Sequence, residues 1–142
     1  MQTEKCSLSI VAALVTMAAS VSPGASAAEL DGSRNLVCAA IDIVACADGP
    51  GCIQGLARTF DLPEFMFVDF KDKVVRAKTQ GELRNVVSPI KNAETSNKQL
   101  ILQGVENGHG WGMSIDRDSG KMTTTISGEY GSFMVFGTCT AL

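Results

Sequence analysis

The chain has 142 residues, with 12 Lys and Arg against 15 Asp and Glu for a formal net charge of −3, and the charges are scattered along it. That balance excludes the clustered positive charge by which proteins hold nucleic acid or an anionic membrane surface. The length suits one domain.

The first element in chain order is a leader. Met1-Gln2-Thr3-Glu4-Lys5 is a short n-region, and an uncharged, weakly apolar run extends from Cys6 to Val21. Ser22-Pro23-Gly24 breaks it, and Ala25-Ser26-Ala27 is an A-x-A cleavage signal. Residues 1–27 therefore read as a secretory signal peptide cut before Ala28, with a cut one residue later nearly as good, and 28–142 as a single β-rich domain. The apolar run is shorter than the ~20 residues a membrane span needs, and it is rich in Ala, Ser and Thr. No segment of the mature chain reads as a span. Cys6 lies inside the leader's apolar run and is not read as a lipid anchor. The expected location is periplasmic or secreted.

Cleavage leaves Cys38, Cys46, Cys52 and Cys139. An even number in an oxidising compartment reads as two disulfides, and three pairings are possible. Cys46–Cys52 and Cys38–Cys139 are favoured. The first brackets the turn-prone Ala47-Asp48-Gly49-Pro50-Gly51, and the second staples the first strand to the last. On the chain-entropy model the long loop contributes about 4–5 kcal/mol and the short one roughly 2. With no C-x-x-C pair and a single His, the spacings do not suit zinc, and neither a metal nor a cofactor is expected.

Strands follow. Asn35 to Ala45 is apolar and β-prone, although Leu36, Cys38 and Ala40 alternate in a way that turns Asp42 inward; a bulge would repair the register. Ile53 to Arg58 reads as a short helix or irregular loop, the one non-strand segment expected near 53–60. Phe65 to Phe70 is a strong strand, Lys71-Asp72-Lys73 a turn, and Val74 to Ala77 its continuation. Arg84 to Lys91 is a strand candidate weakened by Pro89. The remainder is a meander of Lys98–Val105, Trp111–Asp116, Lys121–Ser127 and Ser132–Cys139, separated by turn-forming residues.

The meander predicts its own register. Asn107-Gly108 suits a two-residue hairpin whose turn positions both need positive φ. It sets Glu106 opposite His109, Gly104 opposite Trp111, Leu102 opposite Met113 and Leu100 opposite Ile115. A turn at Arg117–Gly120 sets Ile115 opposite Met122, Met113 opposite Thr124 and Trp111 opposite Ile126. A turn at Gly128–Gly131 sets Ile126 opposite Phe133, Thr124 opposite Val135 and Met122 opposite Gly137. Opposed residues share a face, so one apolar surface results, with the indole over a glycine and Cys139 on the same side. A one-residue slip would destroy it. An antiparallel meander of about seven or eight short strands buries such a surface by closing into a small barrel, with a β-sandwich as the alternative.

Chemistry is harder to find. Asp116-Arg117-Asp118-Ser119-Gly120 has the start of a calcium loop, but Gly120 is fifth rather than sixth and Ser127 stands where the twelfth-position Glu belongs, so it reads as a polar turn. His109, the only His, has no marked nucleophile to serve, and is read as a rim residue beside Glu106. Trp111, Met113 and Met122 either line an interior ligand cavity or fill the core, and dense packing favours filling. Met134 and Phe136 fall on the outward face of the last strand, and Phe65 and Phe67 on the outward face of theirs. Such clusters mark partner sites when exposed. The expectation is that Ile53–Arg58 or the first strand covers them.

The runs Trp111-Gly112-Met113-Ser114-Ile115-Asp116, Ser119-Gly120-Lys121-Met122 and Phe136-Gly137-Thr138-Cys139 resemble small exported proteins of Gram-negative bacteria, a resemblance that implies no activity. Ser127-Gly128-Glu129-Tyr130 is similar to the S-G-x-x-Y inhibitory loop of the periplasmic C-type lysozyme inhibitors, which are small disulfide-bearing β-barrels. It is one residue short and follows the Trp strand, whereas in that family the loop comes earlier, so the inhibitory role is not carried over.

The expected function is that of a monomeric, non-enzymatic barrel that binds a protein or other envelope component through its loops or its Phe/Met face. Trp111, His109, Tyr130, Met134 and Phe136 are the candidate contacts. The alternative is a carrier with a small apolar ligand inside the barrel beside Trp111, and a third reading is an enzyme that uses His109.

Overall fold

The computed structural model describes residues 30–49, 51–78 and 85–142. The leader, residues 1–27, lies outside them. Nine strands run in chain order: β1 Leu36–Ala47, β2 Cys52–Gly55, β3 Phe65–Asp69, β4 Val74–Lys78, β5 Asn85–Thr95, β6 Gln99–Glu106, β7 His109–Asp116, β8 Lys121–Gly128 and β9 Gly131–Ala141. All pairings are antiparallel, and β9 returns to pair with β1, so that β1 and β3 to β9 form a closed eight-stranded barrel with β2 as one extra strand. Among the described residues no helix is long and apolar enough to cross a membrane.

The length of β1 makes closure possible. One of its edges pairs with β9 throughout, while the other serves two shorter partners, β3 along Leu36–Ala39 and β2 along Ile43–Cys46. Ala40 faces Gly137 and Asp42 faces Phe136, which leaves Ile41 as the extra residue of a bulge. The bulge turns Asp42 outward, where its carboxylate accepts the Ile43 N–H at 3.1 Å and a hydrogen bond from Gln54 Nε2. It also returns Ile43 to the interior, fully buried. A carboxylate left facing inward would instead be desolvated without a partner.

The meander has the register its turns predict, from Leu100 opposite Ile115 to Met122 opposite Gly137. Asn107 (φ 47°) and Gly108 (φ 79°) are both left-handed, as a two-residue hairpin requires. The Arg117–Gly120 connection is a polar turn: Asp116 Oδ1 accepts the Ser119 N–H at 2.8 Å and the Ser119 hydroxyl at 2.7 Å. These bonds, the hydroxyl's first, hold the Asp116 carboxyl below its ordinary value. Leu100, Leu102, Met113, Ile115, Met122 and Val135 are buried, and Leu36, Cys38, Ile43, Met66, Val68 and Val75 meet them from the opposite wall. Trp111 and Phe133 are only partly buried, because they stand at one end of this core.

Trp111 shows how tightly the wall is fitted. A Cβ on Gly104 would lie 2.3 Å from Trp111 Cζ2 and 2.5 Å from the Pro89 carbonyl oxygen, so only glycine leaves room for the indole. The indole Nε1–H donates to Ser88 Oγ at 2.7 Å, which satisfies a serine that is 5% exposed. The opposite end of the barrel is stoppered by the residues before β1. Leu30 is buried there, Gly32 lies against Phe70 and Leu100, and Thr95 Oγ1 donates to the Asp31 carbonyl at 3.2 Å.

Two expectations are refined. In the segment near 53–60 read as a short helix or loop, Ile53 to Gly55 is part of β2. Because β3 covers only Leu36–Ala39, the rest of that β1 edge is free, and the Cys46–Cys52 bond delivers the next residues to it. The short helix is the rest of that segment, a single 3-10 turn at Ala57–Phe60 that ends at left-handed Asp61. The strand expected over Arg84–Lys91 is present from Asn85, with Pro89 inside it. The strand runs on to Thr95, pairing with β4 up to Pro89 and with β6 from Ile90, and a bulge at Lys91 eases the change of partner.

Gly104→Ala is expected to destabilise the protein by about 1–3 kcal/mol, the range for an overpacked core. Thermal denaturation followed by Trp111 fluorescence checks it, and an unchanged melting temperature would show that the indole does not rest on Gly104.

Candidate functional site

Among the described residues, three connections meet at the end of the barrel away from Leu30. They are the β1–β2 loop with Asp48, Gly49 and Gly51, the Asn107-Gly108 turn, and the Glu129-Tyr130 turn. An open groove of about 520 Å³ lies here, lined by Ile53, Phe60, His109, Tyr130, Phe133 and the disulfide loop. Phe60 and Phe133, both half-buried, meet edge to face with ring centroids 6.1 Å apart. Tyr130 stands over the rim, 79% exposed.

His109 stands on the same rim, opposite Glu106 across the hairpin. Its ring is packed over Gly128, where a Cβ would fall 2.4 Å from Cδ2, and its Nδ1 lies 3.1 Å from the Asn107 carbonyl oxygen. One face and one nitrogen of the imidazole are thereby engaged in holding two turns together. Trp111 does not reach the groove lining. It is fixed inside the wall by Gly104 and Ser88. Among the described residues no group of three or more His, Cys, Asp or Glu is placed to hold a metal ion.

Met134 and Phe136 belong to a second surface. Outward residues of three adjacent strands form a staggered set there: Phe65 and Phe67 on β3 stand opposite Ala39 and Val37 of β1, whose β9 partners are Thr138 and Thr140, and Phe136 and Met134 on β9 stand further along β1, opposite Asp42 and Val44. The bulge adds Ile41. Exposures are 60% for Ile41, 54% for Phe65, 47% for Phe67, 42% for Met134 and 38% for Phe136, so the expected cover is absent. The reason is geometric. β2 lies beside the far half of β1, in the same sheet, and Gln54 is turned to Asp42 rather than over the phenylalanines. The next outward rows are polar, with Thr123 and Thr125 on β8 and Ser114 on β7.

The five candidate contacts thus divide three ways: His109 and Tyr130 at the groove, Trp111 in the wall, Met134 and Phe136 on the outer face. Sequence reasoning missed Phe60, Ile53 and Asp48 at the groove, because a 3-10 turn and a strand added by a disulfide leave no periodic signal. It missed Ile41 because alternation indicates that a bulge is needed but not which residue is pushed out. Comparison with protein-family models, with curated proteins and with solved structures finds no match to this chain.

The two disulfides join directly opposed residues, Cys46 with Cys52 and Cys38 with Cys139. They differ in access, since Cys52 is exposed whereas Cys38 is 0% and Cys139 5% exposed. Thiol exchange needs the attacking thiolate to reach sulfur. Limited reduction by a dithiol followed by alkylation should therefore label Cys46 and Cys52 first, with the far-ultraviolet spectrum of the barrel unchanged. Simultaneous labelling of all four would show that the inner bond is not shielded by the core.

Proposed function

We propose that this chain is an exported, non-enzymatic β-barrel that binds another macromolecule of the cell envelope, and that the outer face of β3, β1 and β9 is its contact surface. The observation that carries the reading is the exposure of Ile41, Phe65, Phe67, Met134 and Phe136 on three neighbouring strands, each between 38% and 60% exposed, with Ile41 at the bulge between the β3 pair and the β9 pair. Apolar surface stays in contact with water at a cost of roughly 25 cal/mol per Å² that a partner would remove. The polar rows on β7 and β8 show that this sheet is not apolar outside as a rule.

Two further features agree with it. Both disulfides are compatible with an oxidising compartment, as export would provide. His109, the residue an enzyme reading would need, has its ring occupied by Gly128 and the Asn107 carbonyl. The aromatic members of the patch are of the kind that anchors interfaces.

The test places a photo-crosslinking residue at Phe136 in cells and, separately, introduces Phe136→Ser. The expected outcome is a discrete crosslinked species that is lost when Phe65 is replaced by Ser, while Phe136→Ser lowers the melting temperature by only a few degrees. If Phe136→Ser unfolds the protein, Phe136 is core and the patch is not a binding surface. If crosslinking yields only a dimer of this chain, the partner is a second copy.

A further inference from the structure

We propose that the groove at the mouth of the barrel receives an arginine side chain presented by a peptide segment of a partner. This site is separate from the outer face of β3, β1 and β9, and the argument does not depend on that surface.

The groove has the size of a small-ligand site, about 520 Å³, within the ~300–1,000 Å³ usual for such sites. Its half-buried lining is the aromatic pair Phe60 and Phe133, and the exposed side chains of Ile53 and Tyr130 stand beside it. An apolar side chain alone would satisfy that lining. The charge of the described residues selects further. Asp48 is the one carboxylate in the lining, and the two described turns beside it each bear another, Glu129 next to Tyr130 and Glu106 opposite His109. Among the described residues none of the three is engaged in a hydrogen bond or ion pair, and the lining contains no Lys or Arg.

An occupant that suits both features has an apolar stem and a cationic end. Arginine fits better than lysine. Its guanidinium plane stacks on an aromatic face and offers paired N–H donors to a carboxylate, while its methylenes cover apolar surface. The stem would lie along Ile53 and the phenylalanine pair, and the planar head between Tyr130 and Asp48. A main-chain segment on either side would cross the rim of the groove.

The experiment uses the isotope-labelled protein with both disulfides intact and two short probe peptides, acetyl-Gly-Arg-Gly-amide and its twin with the neutral isostere citrulline. Amide spectra are followed as each is added to millimolar concentration. The Arg peptide should shift Asp48, Gly49, Gly51 and Gly131 and leave Phe65 and Phe136 in place, and the citrulline peptide should bind at least about fivefold more weakly. Asp48→Asn and Tyr130→Ala, both at exposed positions, should each weaken the Arg peptide by about two- to fivefold. Equal binding of the two peptides would overturn the proposal, as would shifts confined to other surfaces or none at all. The comparison of the two peptides on the unaltered protein keeps the test valid even where a variant fails to fold. A loss of outer-face crosslinking with these shifts intact would count against the other surface alone.

Discussion

β1 and β9 pair from Leu36 opposite Ala141 to Ala47 opposite Gly131, with Cys38 bonded to Cys139 inside the ladder. This closure converts a curled meander into a barrel. Without it both strands would present open edges, and the interior faces of Leu36, Ile43 and Val135 would lose their opposite walls. The bond joins residues 101 apart in sequence, and on the chain-entropy model it removes about 4–5 kcal/mol of freedom from the unfolded chain. It also holds register. A one-residue slip of β9 would carry Cys139 to the other face, where it could not reach Cys38.

Closure has a geometric consequence that shapes the surface. β1 must stay in step with β9 over its whole length while turning a charged residue away from the core. The bulge at Ile41 meets both demands, and it costs an apolar side chain, which is pushed into solvent beside Phe65 and Phe136. The exposed face is therefore tied to the strand that closes the barrel. The groove is tied to the same strand at its far end. There Cys46 draws β2 in, and the β1–β2 loop becomes one wall of the site. Both candidate surfaces depend on β1 having more edge than β3 covers.

Much of this was legible because turn chemistry is local. Asn107-Gly108 admits one hairpin, and the alternation on either side then leaves a single register that gathers Leu100, Leu102, Met113, Ile115 and Met122 on one face. The glycine under Trp111 follows from the same register, whereas the favoured disulfide pairing, one of three, came from the turn-prone Ala47–Gly51 loop and from joining the first strand to the last. Asp42 gave notice of the bulge by breaking the alternation. What stayed hidden depends on distant pairing. β2 is a strand only because β3 stops short of it, and β5 changes partner at Pro89 because the barrel requires it. Ser88, whose hydroxyl accepts from the indole, lies 23 residues from Trp111 with no pattern to join them. The candidate site was legible only in part. His109 and Tyr130 belong to different hairpins, and their convergence with Phe60 on one groove is a product of closure, not of spacing. The exposure of Phe65, Phe67, Met134 and Phe136 was misjudged, because a segment adjacent in sequence was expected to lie over them and instead joined the sheet.

The account rests on a closed β1–β9 ladder that is offset by one residue at Ile41, and proton–proton contacts in the folded protein measure this most directly. It predicts a close Hα–Hα contact between Cys38 and Cys139, whose Cα atoms are 4.0 Å apart. It also predicts that Ile43 faces Val135 and that the Ile41 side chain has no contact with Leu102 or Met113. Contacts from Ile41 to those core residues, with Asp42 turned inward, would contradict it and would remove the exposed face along with the bulge.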